Sequence, residues 1–272
     1  MSGLIRTAKR YVKLGLRMGS ERWAGVTEMV SDLRALGVRP GGLLLVHSSL
    51  SSLGYVRGGR EAVIRALTGA LGRDGTLVMP THSWELMENG GRVFDSRETP
   101  SCVGAITELF RKMPGVQRSL HPTHSVAAIG PLARELIQDH QYAATPCGAG
   151  TPYEKLLNLD GQILFLGAKL DSNSAYHTIE ALGQVPYLMK PSQDYFSLID
   201  ATGQQTKRYV HRHEAAIPRR FNEWGPLLET KGVLVRGNVG KAPSQLMQGK
   251  PFLDVMMEMV AADPLMFLQS HH

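Results

Sequence analysis

An α/β domain built on a mixed sheet is the fold class that this sequence predicts, and three observations predict it. The runs Leu43–Val46, Thr76–Met79 and Gln162–Leu166 are short and dominated by apolar residues, as strands buried on both faces are. Segments with apolar residues at helical spacing lie around them, as the crossovers between parallel strands require. The first two runs stop abruptly in polar clusters, His47-Ser48-Ser49 and Pro80-Thr81-His82-Ser83, where a sheet would hand over to ligand-facing loops.

Taken in order, the first element is a helix over Thr27–Leu36 with Gly37 as its stop, ahead of the strand at 43–46. Glu61–Leu71 has helical periodicity and joins that strand to the one at 76–79. Trp84–Pro100 is polar, glycine-containing and aperiodic, so a long loop is expected, and loops of that length in compact domains tend to be functional. A helix over Val103–Lys112 follows, then a short strand at Val126–Ile129, a helix over Pro131–His140 opened by proline, a short helix at Tyr153–Leu157 and the strand at 162–166. Asp171–Gly183 has a polar start and a helical interior. Beyond Pro186 the pattern weakens to strands around Tyr195–Ile199 and Gly232–Val235 and a last helix over Pro251–Val260. No repeat, low-complexity tract or linker interrupts the chain, so one domain over 1–272 is expected. Residues 1–20 read as an amphipathic helix with Leu4, Ala8, Tyr11, Leu14 and Leu16 on one side.

Composition narrows the function. Two cysteines, Cys102 and Cys147, form no disulfide framework and no cysteine-based metal spacing, which fits a reducing cytoplasm. No stretch approaches the roughly 20 apolar residues of a membrane span, and Arg6, Lys9, Arg10, Lys13 and Arg17 interrupt what a signal peptide would keep apolar. The net charge of +6 suits a phosphate-bearing ligand. Its Lys and Arg are scattered rather than massed with aromatics, so no nucleic-acid partner is expected. Apolar helices at both ends offer surfaces for a homodimer.

The polar clusters at the strand ends carry the chemistry. Their hydroxyls and amides suit a pyrophosphate or pantetheine chain, although serine favours turns for local reasons too. In His121-Pro122-Thr123-His124-Ser125 the two histidines are three apart, but Pro122 breaks the helix that would place them on one face. No HExxH motif exists, so no metal is expected. In the cluster Asp171–Glu180 a helix would set His177 and Glu180 on one face. A carboxylate there orients the imidazole and stabilises the imidazolium formed when the ring accepts a proton. A merely structural His/Glu pair has the same spacing, and the residues alone leave both readings open.

The combination resembles the aminoglycoside 3-N-acetyltransferase family. The stretches that carry the resemblance are VHSSLSSLG at 46–54, GTLVMPTHS at 75–83, FDSRETPSCVGAITELFRKMPGVQRSLHPTHSVAAIG at 94–130, GAGTPYEKLLNLDGQILFLGA at 148–168 and DSNSAYHTIE at 171–180. The resemblance implies a three-layer α/β/α fold and direct transfer of acetyl from acetyl-coenzyme A to a primary amine of an aminoglycoside or amino-sugar-like acceptor. It implies His177 as general base with Glu180 orienting it. His47, Ser48, Ser49, Thr81 and Ser83 would hold the coenzyme, Arg118 a phosphate, and His124 and Ser125 would line the reaction centre. Residues 186–272 would form the variable, acceptor-side portion.

Two other readings stand beside this one: a metal-dependent hydrolase using His121, His124 and His177, and a coenzyme-binding homologue without catalysis. The family's antibiotic-modifying members carry NTxxHLAE, where this chain keeps only Asn173, His177 and Glu180. They also carry an acidic stretch after this helix, whereas KRYVHRHEAAIPRR at 207–220 holds five Lys/Arg and one acid, Glu214. If that segment borders the acceptor pocket it would repel a polyamine and favour a less cationic or anionic acceptor. A solvated surface strand is the other reading of it.

Overall fold

The computed structural model describes residues 24–268; the helix expected over 1–20 and the terminal His271-His272 lie outside the described residues. After α1 (Val26–Leu36) come β1 (Leu43–Ser48), α2 (Gly59–Leu71) and β2 (Thr76–Pro80). The segment expected as a loop holds a short helix, α3 (Trp84–Glu88), and a strand, β3 (Val93–Asp95). Then follow α4 (Ala105–Phe110), β4 (Gln117–Arg118), β5 (Val126–Ile129), α5 (Ala133–Ile137), α6 (Pro152–Asn158), β6 (Gln162–Leu166) and α7 (Ala175–Leu182). The weakly patterned remainder contains β7 (Met189–Ile199), β8 (Gln205–His213), α8 (Gly225–Thr230), β9 (Leu234–Val239), β10 (Ala242–Gln248) and α9 (Gly249–Ala262).

The three apolar runs form the centre of a seven-stranded sheet in the order β4-β5-β2-β1-β6-β10-β9. β1 runs parallel to β2 and β6, while β5 and β10 flank them antiparallel, so the sheet is mixed as expected. Alternate side chains of β1 serve opposite cores. Leu43 and Leu45 pack with α6, α7 and α9, and Leu44 and Val46 with α1, α2 and α4. This is the three-layer α/β/α arrangement. A second sheet of β3, β7 and β8, with a small core of Phe94, Phe196, Leu198 and Val210, was not expected. Its polar alternating strands and the two-part long "loop" hid it, because only one face of each strand is buried.

Two local features position the functional end of the sheet. Tyr176 stacks on Phe221, with ring centroids 4.5 Å apart, and meets Phe252 and Phe267 edge-on. Aromatic pairs of this kind add about 1 kcal/mol each beyond burial and lock α7 to the layer beneath it. Gly167, just after β6, has φ of 66°, and a Cβ there would lie 2.6 Å from the Cβ of Ser52. Only glycine lets the loops after β1 and β6 approach so closely. The carboxyl-terminal helix α9 buries Phe252, Leu253, Met256 and Val260 against its own chain, so its main apolar face is taken up within the fold.

Candidate active site

α7 begins where the side-chain oxygen of Asn173 accepts the amide of Ala175, and its first turn carries His177 beside the anchored Tyr176. His177 Nδ1 lies 2.6 Å from Glu180 Oε2, the i,i+3 contact expected of a helix. Glu180 is fully buried, and its other oxygen accepts from Nε of Arg219 at 3.1 Å. Arg219 is spent in turn, donating to the carbonyls of Glu214, Ile217 and Tyr187. The tautomer that donates Nδ1–H to this held carboxylate has its acceptor lone pair at Nε2. The His177 side chain is 24% exposed, which lets a substrate reach it.

That ring stands at the junction of two cavities. The first, about 310 Å³, opens at the carboxyl ends of β1 and β2 and is lined by His47, Ser48, His82, Val103, Asn173 and Ser174 among others. The second, about 380 Å³, lies under the β8 segment and is lined by Lys190, Arg212, His213, Glu214, Arg219 and Phe221 among others. Trp84, His124, Asp171 and His177 line both. A group held in one cavity and a group held in the other therefore meet at His124 and His177.

Buried histidines surround this junction. His82 Nε2 pairs with the Tyr153 hydroxyl at 2.6 Å, and its ring is 4.7 Å from that of His124. His47 stacks on Phe165 and has no hydrogen-bond partner at Nε2. Burial holds the pKa of both His47 and His124 down to about 3, so each is neutral at physiological pH. His121 is turned away: it accepts the amides of Thr123 and His124 and stacks on His140 at 4.6 Å. The trio His121, His124 and His177 therefore does not converge on one point.

The expected coenzyme residues divide into wall and frame. His47 and Ser48 are on the wall of the first cavity, and Ser49 is in the loop just beyond, hydrogen-bonded to Ser51 and Ser52. Thr81, Ser83 and Ser125 are buried and hydrogen-bonded to one another and to the backbone, and they are not among the lining of either cavity. Ser83 donates to Pro122, and Thr81 and Ser125 share hydrogen bonds. Arg118 is partly buried beside them. Its guanidinium donates to Thr81, Ser125 and Thr99 and lies 4.8 Å from the Phe94 ring. Burial lowers its pKa to about 9, a cost met by this hydrogen bonding.

The chain matches the sequence profile described as aminoglycoside 3-N-acetyltransferase over residues 45–261. It belongs to that family. Aminoglycoside N(3)-acetyltransferase IV from Salmonella is 32% identical over 243 residues, covering 89% of each chain. A Bacillus subtilis aminoglycoside N(3')-acetyltransferase-like protein, YokD, is 31% identical, covering 80% of this chain and 85% of its own. The crystal structure of the aminoglycoside acetyltransferase AAC(3)-IVa superposes with a TM-score of 0.80 at 32% identity, over 93% of this chain and 94% of its own. A histidine-to-alanine variant of that enzyme is known in complex with a gentamicin, and its structure is 30% identical to this chain with a TM-score of 0.80.

As a member of this acetyltransferase family the chain is an acyltransferase, and the hydrolase reading is not supported. The basic segment 207–220 does border the second cavity, as the less favourable reading required, but its charge is answered. Arg212 pairs with Asp194 and Arg219 with Glu180, while Lys207 and Arg208 lie farther out against Tyr195 and Tyr142. The cavity wall itself carries Glu88, Asp171 and Glu214 against Lys190, Arg212 and Arg219. His82, Trp84, Asn173, Ser174 and His213 were missed as wall residues. A polar residue at a strand end was the only signal for His82, and His213 reaches the site from a strand without a clear pattern. Among the described residues, no helix is long and apolar enough to cross a membrane.

Proposed function

We propose that this chain transfers the acetyl group of acetyl-coenzyme A directly to a primary amine of an aminoglycoside or related amino sugar, with His177 as general base. The observation that carries the proposal is the position of His177 at the junction of the two cavities, with Nδ1 committed to Glu180. The first cavity fits the coenzyme arm: Val46, Pro80, Trp84, Val103 and Ala168 give it apolar walls, and His47, Ser48, Ser172 and Asn173 give it polar partners. Acetyl-coenzyme A supplies the activated acyl group as a thioester. The second cavity presents the amine, and its carboxylates compensate the other ammonium groups of a polycationic acceptor.

His177 Nε2 takes one proton from the neutral amine as the N–C bond forms and the C–S bond breaks, and returns it to the departing sulfur. Glu180 stabilises the imidazolium during that interval, and Arg219 holds Glu180 in place. A cytoplasmic setting is part of the proposal, in keeping with the unpaired Cys102 and Cys147.

The test is release of coenzyme thiol with gentamicin and apramycin as acceptors, compared with amino-sugar nucleotides. Aminoglycoside-dependent release is expected, and His177→Ala is expected to lower it by about 10²–10⁴ with coenzyme binding retained. Unchanged release in that variant would overturn the role of His177. Reaction with the nucleotides alone would overturn the acceptor class.

A further inference from the structure

His213 ends β8 with its ring buried and both nitrogens without a hydrogen-bond partner. An orphaned buried polar atom costs on the order of 1–3 kcal/mol, so a ligand that pairs one of these two nitrogens relieves part of that cost. The His213 ring lies 4.7 Å from that of His124 and 4.5 Å from that of His177. Beneath them is Cys147, fully buried and in no disulfide. One donor atom each from His124, Cys147 and His213 come within 4.8 Å of one another.

We propose that His124, Cys147 and His213 form a zinc-binding site in the floor of the acceptor cavity, with the fourth coordination position open toward His177. Two imidazoles and a thiolate are a donor set for zinc rather than for magnesium or calcium. Ligands at Zn–N and Zn–S distances of about 2.0–2.3 Å stand closer together than these atoms do, so binding draws the three side chains inward by roughly 1 Å.

Two of the three ligands are braced for it. Thr178 donates to the Cys147 carbonyl at 2.7 Å, His140 Nε2 lies 2.9 Å from the Pro146 carbonyl, and Thr123 Oγ1 lies 2.9 Å from His124 Nδ1, leaving Nε2 for the metal. On binding, the Cys147 thiol releases its proton to solvent and a Zn–S bond forms, with no change of oxidation state. The ligands are 23 and 66 residues apart in sequence and make no motif, which is why no metal was expected. His124 and His213 also line the acceptor cavity, so zinc and the acceptor amine exclude one another.

The experiment uses the full chain stripped with chelator and titrated with cobalt(II), whose thiolate complexes absorb in the near ultraviolet. One equivalent is expected to produce a thiolate charge-transfer band, and zinc is expected to bleach it stoichiometrically. Cys147→Ser is expected to remove the band, and His213→Gln to weaken binding about tenfold or more. No band in the unaltered chain, or a band of equal strength in Cys147→Ser, would overturn the site, whether or not the variants fold as well as the parent.

A second reading rests on the proposed transfer reaction: zinc is expected to inhibit thiol release competitively with the amine, and the zinc inhibition constant of Cys147→Ser, referred to its own uninhibited rate, to rise about tenfold or more. Inhibition independent of amine concentration would overturn the placement of the metal in the acceptor cavity. The spectrum needs no turnover, so failure of the reaction and failure of the site are distinguishable.

Discussion

The buried histidines make acid the sharpest perturbation of this fold. His47 and His124 are held to a pKa of about 3 and His140 to about 4, while His82, His121 and His213 are held well below the ordinary value of 6.5. Burial is the leading cause in all six. Each is neutral in the folded chain and titrates normally in the unfolded one. Between those two values the unfolded state binds more protons, so stability rises with pH and is lost as pH falls below 6.5.

At pH 5.5 each such histidine costs on the order of 1 kcal/mol, and the group together several kcal/mol. A loss of that order rivals the lower end of the usual folding stability of about 5–15 kcal/mol. Unfolding is therefore expected between about pH 5 and 6, before carboxylates titrate, with uptake of several protons. Near-ultraviolet circular dichroism against pH, with calorimetric unfolding in buffers of different ionisation enthalpy, measures both midpoint and proton count in chelator-treated protein. A native signal persisting to pH 4, or uptake of fewer than about two protons, would refute the reasoning.

Three substitutions test the remaining assignments. Glu180→Gln withdraws the charge that orients His177 and pairs Arg219; kcat is expected to fall at least about tenfold and stability by about 3 kcal/mol, read by steady-state kinetics and thermal melts. If kcat is unchanged, Glu180 is structural only. Arg118→Lys cannot reproduce the forked hydrogen bonds to Thr81, Ser125 and Thr99, so the melting temperature is expected to drop while KM for acetyl-coenzyme A stays within about twofold. A large rise in that KM at unchanged stability would make Arg118 a phosphate ligand. Gly167→Ala forces a Cβ at positive φ against Ser52; a loss of about 1–3 kcal/mol and a raised KM for the coenzyme are expected, and a neutral result in both measurements would contradict the close loop approach.

The features legible in the sequence are those set by neighbours along the chain. Leu43–Val46 reads as a buried strand because nearly every residue is apolar, and His177 reads beside Glu180 because three residues nearly complete one helical turn. The small sheet of β3, β7 and β8 was illegible because its strands bury one face only and owe their state to one another. β10 was missed for the same reason: its Ser and Gln gain strand conformation from β6 and β9, not from propensity.

At the site, residue types were readable and roles were not. Thr81, Ser125 and Arg118 have the chemistry of phosphate ligands, and only the fold shows that their donors and acceptors are used on one another. The basic segment shows the same limit, since a count of charges says nothing about Asp194 and Glu180, which stand opposite Arg212 and Arg219 from other elements. By itself the sequence determined the α/β class and the local His177–Glu180 pair through short-range periodicity and spacing, and the layered fold through the family resemblance. Only the tertiary structure decided which polar side chains face a cavity, that two cavities meet at His177, and that Cys147 lies beneath His124 and His213. Burial and hydrogen-bond partnership join residues far apart in the chain, and no local pattern records them.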